Sequence, residues 1–83
     1  MLDVAIELKM NSKQLLKQAD KIEQQEAAER KKVIAYMNKG DTESAKVFAE
    51  NVIRSKKEAL HVRRFGVKMQ ALAQKVESAA RTQ

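Results

Sequence analysis

The sequence predicts an all-α fold: a long antiparallel two-helix hairpin of coiled-coil type that turns at Gly40, with residues 1–83 as a single domain. Three observations carry that reading. There is no proline and there are only two glycines in 83 residues, so little interrupts a helix. Charged residues make up 34% of the chain and aromatics 4%, a balance that helices tolerate and sheets do not explain. Apolar or small residues recur at alternating steps of three and four, the period of a coiled-coil seam.

The first helix is expected over about residues 3–38. Its seam reads Leu8, Ser12, Leu15, Ala19, Ile22, Glu26, Glu29, Val33 and Tyr36. It is polar at Ser12, Glu26 and Glu29, so its middle is its weak point. The stretch YMNKGDTES, residues 36–44, then orders a turn. Gly40 can take the left-handed conformation that closes a helix, Lys39 lies where a cation favours the carbonyl end, and Asp41 or Thr42 can cap the next helix, with Glu43 in its first turn.

The second helix is expected over about residues 42–82. Its seam, Ala45, Phe48, Val52, Ser55, Ala59, Val62, Gly66, Met69, Ala73, Val76 and Ala80, is apolar or small throughout. A short connection makes the helices antiparallel neighbours. That sets Val33 against Phe48, Ile22 against Ala59, Leu15 against Gly66 and Leu8 against Ala73. Large residues on one rod meet small ones on the other, which gives Gly66 its reason. The same register brings Glu26 near Ser55 and Lys56, and an ion pair between Glu26 and Lys56 is expected. The second helix has more apolar surface than one partner covers: Ala49, Ile53, Leu60 and Val67 on one flank, Phe65 and Leu72 on the other. A third helix or a neighbouring subunit should sit there.

The formal net charge is +6, which points to an anionic partner. Lys9, Lys13, Lys17 and Lys21 recur every fourth residue along one slowly rotating face. The row is either a solvated face or a set of ammonium groups laid on acidic lipid headgroups, each contributing about 1 kcal/mol at such a surface. A second cluster, Arg54, Lys56, Lys57, Arg63 and Arg64 around Glu58, surrounds the apolar flanks and is expected to meet acidic groups of a neighbouring subunit. No nucleic acid is expected as a partner, because there are neither stacking aromatics nor a binding motif.

Chemistry is not expected of this chain. His61 is the single histidine and there is no cysteine, so no metal site can be assembled around it. No nucleophile elbow or glycine-rich phosphate loop is present. Glu23, Glu26 and Glu29 lack the histidine spacing of a carboxylate metal site and read as a charged face. The expectation is therefore no enzyme, no cofactor and no metal. The longest apolar run, VIAYM at residues 33–37, is far short of the roughly 20 residues that cross a bilayer, and no signal-peptide pattern opens the sequence. With no cysteine, a cytoplasmic placement is expected. At 83 residues stability is marginal, so help from outside the hairpin is expected too.

The segment KKVIAYMNKGDTESAKVFAENVIRSKKEAL, residues 31–60, resembles the ESCRT-III family, the charged multivesicular body proteins, and most closely their type 1 branch. The resemblance rests on the KGD turn followed by Ala45, Lys46, Ala49, Glu50, Asn51, Ile53, Arg54 and Lys56. The opening LKMNSKQLLKQADKIEQQEAAERKK is similar to the family's first helix, so the likeness covers nearly the whole chain. The resemblance implies a polymer-forming subunit that remodels membranes in endosomal sorting and multivesicular body formation, scission or tubulation, and cytokinetic abscission. It implies homo-oligomers, other ESCRT-III subunits and an acidic phospholipid membrane as partners, with peripheral placement on endosomal membranes. Carried onto this sequence, Lys9, Lys13, Lys17 and Lys21 become the membrane candidates and Ile53, Leu60, Phe65, Val67 and Leu72 the self-assembly candidates, with Gly40 as hinge. Family members run to roughly 200 residues, so the chain is expected to be their N-terminal core; the C-terminal region that binds an AAA ATPase is absent here. The contrasting reading is a soluble helical-hairpin adaptor or coiled-coil interaction module without membrane activity.

Overall fold

The computed structural model describes residues 1–82; the expected domain bound at residue 83 lies outside the described residues. It contains α1 (Leu2–Asn38) and α2 (Thr42–Thr82), folded antiparallel. The hairpin measures 66 × 13 × 11 Å. Its radius of gyration is 18.7 Å, against about 12 Å for a globular chain of this length, so there is no third layer to bury a site.

The bend follows from local chemistry. Gly40 has φ +78°, the left-handed conformation in which glycine has no Cβ to clash. The Gly40 N–H donates to the Met37 carbonyl at 3.0 Å and the Asp41 N–H to the Tyr36 carbonyl at 2.9 Å, the paired bonds of a Schellman closure. Asp41, of the two expected candidates, is the residue that caps α2. Its Oδ1 accepts from the Ser44 backbone N–H at 3.1 Å and its Oδ2 from the Ser44 hydroxyl at 2.7 Å. Glu43 stands in the first turn of α2.

The two seams face each other as the periodicity requires. Every seam residue named above is buried or half-buried. Ala5 extends the α1 seam one step before Leu8, and it is buried although the sequence reading began the seam at Leu8. The most enclosed residues are small: Ala5, Ser12, Ala19, Ala45, Ala59, Gly66 and Ala73, with Ile22 the one large exception. Ser12 satisfies its hydroxyl by donating to the Lys9 carbonyl at 2.7 Å, which makes a polar seam position tolerable.

Of the expected facing pairs, Leu15 against Gly66 is the one that the packing displays directly. A Cβ added at Gly66 would lie 3.3 Å from Leu15 Cβ and 3.1 Å from Leu16 Cδ2, so Gly66 is where the helices come close. Near the bend Phe48 stacks on Tyr36, ring centroids 5.4 Å apart and 7° from parallel. Val33 shares an apolar groove with Ala49 and Val52. One expectation fails. Glu26 does not pair with Lys56; its Oε1 accepts from Arg30, one turn along the same helix, at 2.9 Å. Ser55 donates to Glu29 Oε1 instead, at 3.2 Å. An i,i+4 pair needs no reach across the interface, so Arg30 outcompetes Lys56 for the Glu26 carboxylate.

Two substitutions test this packing. Gly40→Ala is expected to cost about 1 kcal/mol in chemical denaturation although no described residue beyond its chain neighbours lies within 4 Å of the new methyl, because the penalty is the left-handed backbone itself. Gly66→Leu is expected to cost about 1 to 3 kcal/mol despite its better helix propensity, because the side chain must push α1 away.

Candidate membrane-facing and assembly surfaces

The lysine row runs from the edge of α1 that adjoins α2 onto its open back, and the structure divides it. Lys9 is paired across the interface with Glu77. Lys13, Lys17 and Lys21 are exposed and form no ion pair among the described residues. Four-residue spacing advances 40° per step. The row therefore starts near the edge shared with α2, where Lys9 finds its acid, and winds onto the open back, where the other three find none.

The second basic cluster is only partly free. Arg63 crosses to α1 and donates to Asp20 at 2.7 Å and Glu23 at 2.6 Å, so its acidic partners belong to its own chain, a correction to the expectation of a neighbour's acids. Arg54 donates to the Asn51 side chain at 3.0 Å. Lys56, Lys57 and Arg64 remain exposed and free of ion pairs among the described residues. By helix, α1 carries seven Lys and Arg against six Asp and Glu, and α2 nine against four. The chain's positive excess thus sits on α2, a point that the conspicuous lysine row of α1 obscures but a count per helix reveals.

The apolar candidates are all exposed: Ile53, Leu60, Phe65, Val67 and Leu72 keep between 46% and 56% of their surface. They fall on opposite faces of the hairpin. Ile53 joins Ile34 and Val33 in a groove of about 390 Å³, and Leu60 and Val67 continue that row at seven-residue spacing. Phe65 lies on the other face, in a mixed groove with Leu15 and Met69 and the amides Asn11, Gln14 and Gln18, and Leu72 follows it one heptad on. Val4, Ile6 and Met10 of α1 are exposed as well; a reading centred on the second helix passed over them.

Electrostatics ties the hairpin at both ends. Near the bend, the two hydrogen bonds from Ser44 hold the Asp41 carboxyl below its ordinary pKa. At the open end, the hydrogen bond from Lys9 does the same for Glu77, helped by the charges of Lys9 and Arg81. Arg63 is raised by its bonds to Asp20 and Glu23. Among the described residues no three His, Cys, Asp or Glu side chains gather as a metal site. No helix among them is long and apolar enough to cross a membrane.

Comparison with known proteins gives this hairpin its relatives. The chain is 39% identical over 75 residues to charged multivesicular body protein 1 of Dictyostelium discoideum, a match covering 90% of this chain and 39% of that protein. It is 39% identical over 77 residues to charged multivesicular body protein 1a of Danio rerio, covering 93% of this chain and 39% of the relative. To charged multivesicular body protein 1b of Homo sapiens it is 36% identical over 66 residues, covering 80% of this chain and 33% of the relative. No family model and no solved structure matches. Fold and sequence together define the class, a charged helical hairpin of the ESCRT-III family, to which the chain belongs. Within that family it falls in the type 1 branch. The chain spans about two fifths of the length of the relatives it matches most extensively.

A pH prediction follows from the two depressed carboxyls. A group whose folded pKa is lowered contributes stability that is complete above its unfolded pKa and is lost as pH falls through the folded value. The reference values are 3.8 for Asp41 and 4.5 for Glu77. The thermal midpoint should therefore stay level from pH 8 to about 5 and fall below about pH 4. Asp41→Asn and Glu77→Gln together should flatten that fall.

Proposed function

We propose that this hairpin is a polymer-forming, membrane-remodelling subunit of multivesicular body formation, peripheral on endosomal membranes and facing the cytoplasm. It is a structural part and not an enzyme. The observation that carries the reading is the unpaired back of α1. Lys13, Lys17 and Lys21 project from a rigid rod with no internal acid to neutralise them, so their charge is available to acidic headgroups. Lys9 contributes once its hold on Glu77 is loosened by the surface potential. Each ammonium adds little alone, and polymerisation multiplies the contribution through avidity.

Apolar rows on opposite faces suit assembly. When two unlike faces pair, each copy offers one used and one open face, and the chain of copies need not close. Ile53, Leu60 and Val67 supply one side and Phe65 and Leu72 the other. The relatives' names support endosomal sorting as the setting, with other ESCRT-III subunits as co-assembling partners. Recycling by an AAA ATPase belongs to a C-terminal region outside these residues. Charge alone does not favour nucleic acid as the ligand, since no aromatic stacking platform accompanies the cations.

Cosedimentation with vesicles tests the membrane half. The chain should bind phosphatidylserine-containing vesicles and not neutral ones, with binding reduced by salt. Lys13, Lys17 and Lys21 changed together to Glu should lose at least tenfold in binding; unchanged binding would remove the α1 back from the interface and favour a soluble adaptor. For assembly, Leu60→Asp should abolish higher oligomers while the helical circular dichroism is retained. Persistent oligomers would show that this row is not an assembly contact.

A further inference from the structure

The hairpin's packing repeats, and the repeat is nearly blind to register. In α2 the seam positions seven apart from Ala45 are Val52, Ala59, Gly66, Ala73 and Ala80, and those seven apart from Phe48 are Ser55, Val62, Met69 and Val76. In α1 the matching sets are Ala5, Ser12, Ala19, Glu26 and Val33, then Leu8, Leu15, Ile22, Glu29 and Tyr36. Larger side chains on either helix thus meet small ones on the other at almost every layer. Sliding one helix past the other by seven residues would set large against small again through the central layers, Leu15 on Ala73 and Ile22 on Gly66. Such a slide would move the apolar row of α2 about 10 Å along the lysines of α1 at 1.5 Å per residue.

The Tyr36–Phe48 stack beside the bend is lost in the slide, and among the layers that remain paired one does not survive it. Glu29, half-buried in the seam, accepts from the Ser55 hydroxyl with Oε1, while its Oε2 is enclosed and meets no donor among the described residues. The two cations that line the same groove as Glu29 are engaged elsewhere: Lys32 lies over the Phe48 ring at 5.2 Å, and Arg54 is bonded to Asn51. Ser55 is therefore the only hydrogen-bond donor that Glu29 has among the described residues. In a slipped register Glu29 would face Ala59 and Val62, and the carboxylate would lie in the seam without even that bond, a costly arrangement. Outside the seam, Lys9–Glu77 and the Arg63 bonds to Asp20 and Glu23 lie at the solvent edge, each with a half-buried member and an exposed one, and long side chains that reach several partners are weak register signals.

We propose that the Glu29–Ser55 contact is the register pin of the hairpin: a seam position kept polar at the expense of stability so that only one of several near-equivalent heptad alignments is tolerated. A single polar position fixing alignment in an otherwise repetitive interface is the best-attested use of such groups. The pin governs most where the bend cannot, in any state where Gly40 straightens and two copies exchange helices.

The chain has no cysteine, so introduced thiols report register without background. In the parent chain, Ala19→Cys with Val62→Cys, which face each other in the observed register, should join through a short thiol crosslinker. Ala19→Cys with Met69→Cys and Ser12→Cys with Val62→Cys, each one heptad out, should not. Placed in a Glu29→Leu, Ser55→Leu background, the slipped pairs should crosslink to at least a tenth of the native pair's yield while the thermal midpoint rises. Native-pair crosslinking alone in that background would overturn the pin and leave register to the bend. A fallen midpoint would also overturn it, because the polar pair would then be stabilising rather than selective.

Discussion

The structure depends on how closely two rods can approach. With Val52 the one exception, alanines and a glycine occupy every second layer of the α2 seam, and larger residues of α1 fall on them, as Leu15 does on Gly66. That complementarity lets a chain of 83 residues with few aromatics fold into a 66 Å hairpin. The hydrophobic gain per layer is modest because the buried groups are small. Stability is therefore spread thinly along the seam, and the caps at the bend and the ion pairs at the open end count for more than they would on a large core.

A two-helix layer cannot cover both flanks of either helix, and the consequence is a molecule with open outer surfaces and almost no inside. The back of α1 is left positive because its lysines rotate away from the acids of α2. The flanks of α2 are left apolar because only one stripe per helix faces the partner. Both features follow from the 3.6-residue turn acting on the sequence. These open surfaces are what the proposed membrane and assembly contacts of a type 1 ESCRT-III hairpin would use.

Most of the fold was legible from spacing. The helix bounds, the left-handed Gly40, the seams and the Leu15–Gly66 approach all appear where periodicity and turn chemistry put them, because each is a local rule or a direct consequence of helical repeat. The ion pairs were harder. Glu26 was assigned to Lys56 from register alone, but long side chains choose among several partners within reach, and Arg30 on the same helix is nearer. Arg63 likewise found acids in its own chain. The division of the lysine row, with Lys9 held and the other three free, depends on where Glu77 falls across the interface, which a face-by-face reading of one helix does not supply. The opposite placement of Ile53 and Phe65 was visible in the angle between them; the grooves they enter required both helices.

The central claim is that the chain folds back on itself at Gly40 in one register. Spin labels at Gln24→Cys and Lys57→Cys, on the outer ridges of the two helices, measure it directly by dipolar spectroscopy. The account predicts a narrow distance of about 20 to 30 Å, set by the interhelical spacing plus the label arms, unchanged on dilution with unlabelled chain. A distance of about 50 Å, the span of 33 helical residues in a straight rod, would contradict it.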